Sequence, residues 1–155
     1  MKMAIDKVAE ETLRLGLKAP DDYMHTLREN PMAVDNIANG VGSEESITYH
    51  ATPDTIWCLN VNPSSHIHDW MYNFPEYFRT FADGDKWKKL ADDWLYENMI
   101  IQINDSWGWV FRQTRTLRAK FYYYCVRAFG VASFWAGKEK PMDWKKHKKY
   151  FKNKE

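Results

Sequence analysis

His68-Asp69-x-x-Tyr72 is the arrangement in this chain best suited to chemistry. On a helix, adjacent side chains diverge by about 100°, whereas residues four apart share a face. One element can therefore aim His68 and Tyr72 at one partner and Asp69 at another. Histidine exchanges a proton near neutral pH, and a carboxylate that holds its ring can orient it as a general base. Two later carboxylates, Asp92 and Asp93, could play that part, and helical spacing alone does not choose between them. Upstream, Gly40-x-Gly42 offers a backbone that can turn carbonyl oxygens inward. A hard cation such as calcium takes such oxygens together with a carboxylate.

Other combinations carry less. His66 and His68 diverge by about 200° on a helix, so both can bind one metal only on a strand or bulge. His66 is instead expected to be exposed or to cap a helix. An all-helical His-Asp metal phosphohydrolase would add ligands such as His50 and Asp92. That reading leaves Gly40-x-Gly42 and Tyr72 without a role. No G-x-S-x-G nucleophile motif occurs. Cys58 and Cys125 sit in apolar stretches and read as small buried hydrophobes. Arg112, Arg115 and Arg118 read as a solvated helix face, and Tyr122-Tyr123-Tyr124 as core and rim packing.

The elements that must position these residues read as mainly helical. Residues 4–17 predict a helix ending near Gly16 and Pro20, Asp21 opens a short second one, and Pro31 opens a third. The third runs into the permissive stretch at 39–43. Residues 55–61, TIWCLNV, predict the one short strand or, equally, an extended loop buried against helices. Pro63-Ser64-Ser65 predicts a helix start, with Pro75 ending or bending that helix. From about Asp85, Trp87, Leu90, Ala91, Trp94, Leu95, Asn98 and Ile101 recur at helical spacing. A break at Trp107-Gly108 separates this helix from another over 111–129, with a hinge at Gly130.

At 155 residues the chain reads as one domain, large enough to bury a core without staples. Twenty-two basic residues against 21 acidic ones argue against a dedicated nucleic-acid binder. The Met1 end shows no apolar signal-peptide core, and two cysteines form no disulfide framework. A cytoplasmic location is the expectation, with release by a non-classical route as an addition to it. Residues 138–155 hold eight lysines against three acids, with Trp144, Tyr150 and Phe151 among them. This basic tail reads as a frayed solubilising helix, or as a segment that lies on anionic lipid or on nucleic acid.

With these pieces in view, the chain resembles a bacterial phospholipase A2-like domain. The resemblance rests on NGVG (39–42), PDTIW (53–57), HDWMY (68–72) and ADDWLYENM (91–99), and covers about residues 36–135. It implies a mainly α fold in which two long antiparallel helices and a glycine-containing calcium loop form residues 1–137, with an N-terminal helical extension. His68 would be the general base that activates water for attack on an ester carbonyl. Asp69 would bind calcium beside the carbonyls of Ala38, Gly40 and Gly42. Asp92 would hold His68, a register that favours it over Asp93, and Tyr72 would brace that carboxylate. Asn39 and Ala91 stand where the family commonly has cysteines, Ser43 replaces a common third glycine, and Gly42 lies 27 residues before Asp69. The expected activity is calcium-dependent hydrolysis of a phospholipid ester, with phospholipid or a membrane surface as partner and no nucleic acid. The alternative is a non-catalytic protein on the same scaffold, phage- or toxin-associated, that binds lipid or a protein partner.

Overall fold

The computed structural model describes residues 4–40, 55–56 and 59–151. Three helices open the chain: α1 (Ile5–Leu15), α2 (Asp21–Glu29) and α3 (Pro31–Gly40). Gly16 closes α1 in the left-handed region, and Asn30 separates α2 from the proline that starts α3. Residues 55–61 do not form one strand. β1 (Thr55–Ile56) and β2 (Leu59–Asn60) pair antiparallel, Ile56 opposite Leu59. Their role is local: Ile56 and Val61 enter the core, and the Asn60 side chain accepts from the Asn62 N–H at the start of the next helix.

That helix, α4 (Asn62–Asn73), carries Pro63 in its first turn and stops before Phe74-Pro75, a cis bond. α5 (Phe81–Asp105) is twice as long, at 25 residues against 12. It begins at Phe81, four residues ahead of the expected start, because the Thr80 side chain caps it by accepting from the Asp83 N–H. A 3₁₀ turn at Trp109–Phe111 leads into α6 (Arg112–Phe129), and Gly130 separates α6 from the short α7 (Val131–Trp135).

α5 is the axis of the molecule, packed on α4 and on α6. Ser64 donates to Gln102, His68 meets Asp92, and the Trp87 indole donates to the Met71 carbonyl. Rising numbers on α4 meet falling numbers on α5, so the two helices run antiparallel. Because α5 has neighbours on more than one side, it buries Lys88, Asp92, Asn98 and Gln102 as well as Ala91, Leu95, Met99 and Ile103. The simple apolar stripe read from sequence describes only part of that surface. Each buried amide is spent on the backbone of another segment: Asn98 accepts from the Lys18 N–H and donates to its carbonyl, both at 2.8 Å, and Gln102 donates to the Asn60 carbonyl at 3.2 Å.

Apolar side chains gather in three clusters. One joins α1, α2 and α3 to α4 through Leu17, Tyr23, Leu27, Val34, Ile67 and Met71. A second lies between α5, α6 and the hairpin. The third is aromatic, built on Phe78, Phe134, Trp135 and Phe151. The lysine-rich end therefore does not fray over its described part. It forms a 3₁₀ segment at Trp144–Tyr150, and the His147 and Tyr150 rings stack on Phe81 while Phe151 is buried against Trp135. Its aromatic residues pack on the domain. No helix among the described residues is long and apolar enough to cross a bilayer.

Candidate functional site

The expected residues of α4 and α5 meet in one buried network. His68 Nε2 lies 3.0 Å from Asp92 Oδ1, and the Tyr72 hydroxyl donates to the same oxygen at 2.7 Å. The His68 and Tyr72 rings, one helical turn apart, pack with centroids 4.0 Å apart. Asp92 is completely buried. Asp93, the competing candidate, points the other way: it accepts from Lys89 at 2.5 Å and from the Tyr123 hydroxyl at 3.0 Å, and does not touch His68.

Two cations that sequence reasoning missed complete the cluster. Lys88 Nζ donates to Asp92 Oδ2 at 2.6 Å and to the Val126 carbonyl at 2.9 Å, and the Arg127 guanidinium donates to Asp92 Oδ2 at 3.1 Å. Lys88 had a readable signal, since it stands four residues before Asp92 on one helix. Arg127 had none, because it arrives from α6, 35 positions away. The packing also demands Gly130. A Cβ there would lie 2.5 Å from the Val126 carbonyl, 2.7 Å from the Tyr72 hydroxyl and 3.4 Å from Lys88 Nζ. The break between α6 and α7 thus sits directly against the network.

The electrostatics follow from burial and pairing. Burial alone raises the pKa of Asp92, but His68 and Lys88 outweigh it and hold the carboxyl at about 2. Burial lowers the His68 pKa, yet Asp69 and Asp92 together carry it above its ordinary value. For Lys88, desolvation prevails over Asp92 and the pKa falls, while burial and Asp92 push Tyr72 well upward. Asp92 therefore remains ionised and accepts only. His68 must carry its proton on Nε2 to donate to it, which leaves the Nδ1 lone pair available as a base. That nitrogen faces Asp69, whose Oδ1 is 3.7 Å away, too far for a hydrogen bond. With a neutral imidazole, the charges of Asp69, Asp92, Lys88 and Arg127 cancel.

Among the remaining expectations, Asp69 is a half-exposed carboxylate beside the histidine. Ala38 and Gly40 lie in the last turn of α3, which is helical through Gly40 and packs on α4. Gly42, Ser43, His50 and Cys58 lie outside the described residues. Among the described residues, no group of three or more His, Cys, Asp or Glu side chains could hold a metal ion. Of the expected donors Asp69 is the one carboxylate, of the type a hard cation takes, and main-chain oxygens would have to complete its shell. His66 is buried, contrary to expectation, because the first turn of α4 is itself enclosed. Cys125 is a buried free thiol. Arg115 does not sit on a solvated stripe: it is buried, donating to Ser106 Oγ at 2.9 Å and to the Trp107 carbonyl at 3.1 Å. Tyr122 is buried, whereas Tyr124 is exposed. Set against known proteins, the chain matches no family model, no curated protein and no solved structure.

Proposed function

We propose that the protein hydrolyses a phospholipid ester bond in a calcium-dependent reaction, with His68 as the general base. The observation that carries this reading is the shared oxygen of Asp92, which accepts hydrogen bonds from His68 Nε2 and from the Tyr72 hydroxyl together. Nδ1 of His68 takes a proton from water as that water attacks the ester carbonyl, and later returns it to the leaving alkoxide. Asp92 holds the ring in the tautomer this requires and stabilises the imidazolium while it lasts. Tyr72 keeps the carboxylate from turning away. Calcium, held by Asp69 and the carbonyls of Ala38, Gly40 and Gly42, would supply polarisation of the ester carbonyl.

The second reading is a non-catalytic protein on the same scaffold that binds lipid or a protein partner. One observation favours it: Lys88 and Arg127 occupy the other oxygen of Asp92 and offset the charge that would stabilise an imidazolium. The His-Asp phosphohydrolase is less well supported, since both oxygens of Asp92 already serve four donors.

His68→Gln separates the two main readings, because glutamine can still donate to Asp92 but cannot act as a base. Hydrolysis of a dispersed phospholipid should fall by about 100-fold or more, with the thermal midpoint close to that of the unaltered chain. Equal turnover by the variant would reject the enzyme. Calorimetric titration with calcium should show binding that is lost in Asp69→Asn. Hydrolysis that persists in a chelator would remove the cation from the proposal.

A further inference from the structure

Asp105 and Glu139 bracket 33 residues without a single acid, among which stand six bases: Arg112, Arg115, Arg118, Lys120, Arg127 and Lys138. Within that stretch lie most of the exposed large apolar side chains of the described residues. Trp107 is 97% exposed and Trp109 79%, at the tip of the turn between α5 and α6. Val110 and Phe111 follow, and on α6 Leu117, Phe121 and Tyr124 are exposed at helical spacing. Folded proteins rarely leave so many large apolar side chains of one stretch in water without a use for them.

The turn that presents the tryptophans is built, not loose. Gly108 takes φ +95°, a conformation side chains disfavour, so that Trp107 and Trp109 can flank it. Arg115 ties Ser106 and the Trp107 carbonyl to α6, Arg112 donates to the Asn104 carbonyl at 3.2 Å, and the Phe111 N–H closes on the Gly108 carbonyl at 2.9 Å. Such bracing projects two indoles outward at little further cost in order.

From this we infer that residues 107–124 are the face by which the protein seats itself on an anionic lipid bilayer. Indole rings favour the boundary between water and hydrocarbon, and arginine and lysine can lay their stems on apolar surface while their heads reach lipid phosphates. Arg112, Arg118 and Lys120 are exposed in the same stretch as the aromatic residues. A second copy of the chain fits less well, since it would bring these cations against their equivalents. A partner helix would need a groove, whereas the tryptophans stand proud of the surface. Asp93 and Glu97 of α5 share a hollow with Lys120 and Tyr124, and Asp105 ends α5 just before Trp107, but each of these acids is already paired, with Lys89, Lys18 and Arg14 respectively. The inference deepens the phospholipid reading and rests on it for the nature of the partner, while its deciding readout, vesicle binding, needs no hydrolysis.

Co-sedimentation with vesicles of phosphatidylglycerol or of phosphatidylcholine is the experiment, on the full chain and on Trp107→Ser/Trp109→Ser. The unaltered chain should bind the anionic vesicles at least tenfold more tightly than the neutral ones, less so as salt screens the cations. The double variant should lose at least tenfold on the anionic vesicles, with its thermal midpoint retained because both residues are exposed. Turnover of a soluble short-chain ester should be the same in both chains, so that failure of binding and failure of catalysis are read apart. Three results would overturn the proposal: no binding to either vesicle, equal binding by the variant, or a concentration-dependent dimer that the variant abolishes.

Discussion

Asp92 and Asp93 are neighbours on α5, and each is given a lysine four residues earlier and a tyrosine hydroxyl from another helix. Lys88 and Tyr72 serve the first, Lys89 and Tyr123 the second. The chemistry is the same on paper, and the outcome is opposite. Asp92 has no exposure, collects His68 and Arg127 as well, and bends the ionisation of every group around it. Asp93 keeps about a third of its side chain in water, beside a lysine that is mostly exposed. In low dielectric a charge must be answered by every neighbour, so a pair becomes a network. In water the same pair is answered by solvent and stays local.

The widest separation between the two should appear on neutralising each carboxylate. Asp92→Asn removes the charge but not the volume, and leaves Lys88 buried without its counter-ion. Breaking a buried pair from one side costs about 3–5 kcal/mol, read as a large drop in the chemical-denaturation midpoint. Asp93→Asn should move that midpoint little. Similar effects from both would mean that Asp92 is hydrated in solution.

Acid provides a second contrast. The Asp92 carboxyl titrates at about 2 in the folded chain against an ordinary 3.8. Its contribution to stability is therefore complete above 3.8 and is lost as pH falls through about 2. The unaltered chain should lose stability steeply across that window, and Asp92→Asn should show a shallower slope there. An unchanged slope would place the acid sensitivity elsewhere.

The smallest of these effects belongs to the hydroxyls. Tyr72→Phe takes one donor from a buried carboxylate that keeps three others, a loss of about 1.5 kcal/mol. Tyr123→Phe should be close to silent, since water can replace its hydroxyl at Asp93. If Tyr72→Phe is equally silent in stability yet slows hydrolysis, its work is positioning rather than holding the helices together.

The two basic aromatic regions repeat this lesson at a larger scale. Residues 144–151 and 107–124 both mix rings with cations, and composition alone favours the former as the membrane-facing one. In the fold the aromatic residues of 144–151 are packed on Phe81 and Trp135, whereas Trp107 and Trp109 are left in solvent. Which ring is covered depends on what α7 and the start of α5 bring beside it, and the start of α5 is far off in sequence.

Much of the arrangement was legible locally. Helix starts and stops follow from Pro31, Pro63, Gly16 and Gly130, because proline and glycine act through their own backbones. The partnership of His68 with Tyr72 follows from a spacing of four. Lys88 with Asp92 was equally readable by that rule. The choice of Asp92 over Asp93 was not, since α5 is enclosed on more than one side and its wheel has no single inner face. Arg127 and Gly130 reach the site only because α6 and α7 fold back over α5, and Arg115 is buried only because the Trp107 turn needs its hydrogen bonds. The sequence by itself determined the mainly helical class, the main helix boundaries and the residues able to do acid–base chemistry, all properties carried within a few residues. Tertiary structure alone decided which carboxylate is buried, how many cations answer it and which aromatic face meets solvent, because burial and dielectric are set by neighbours that only folding brings together.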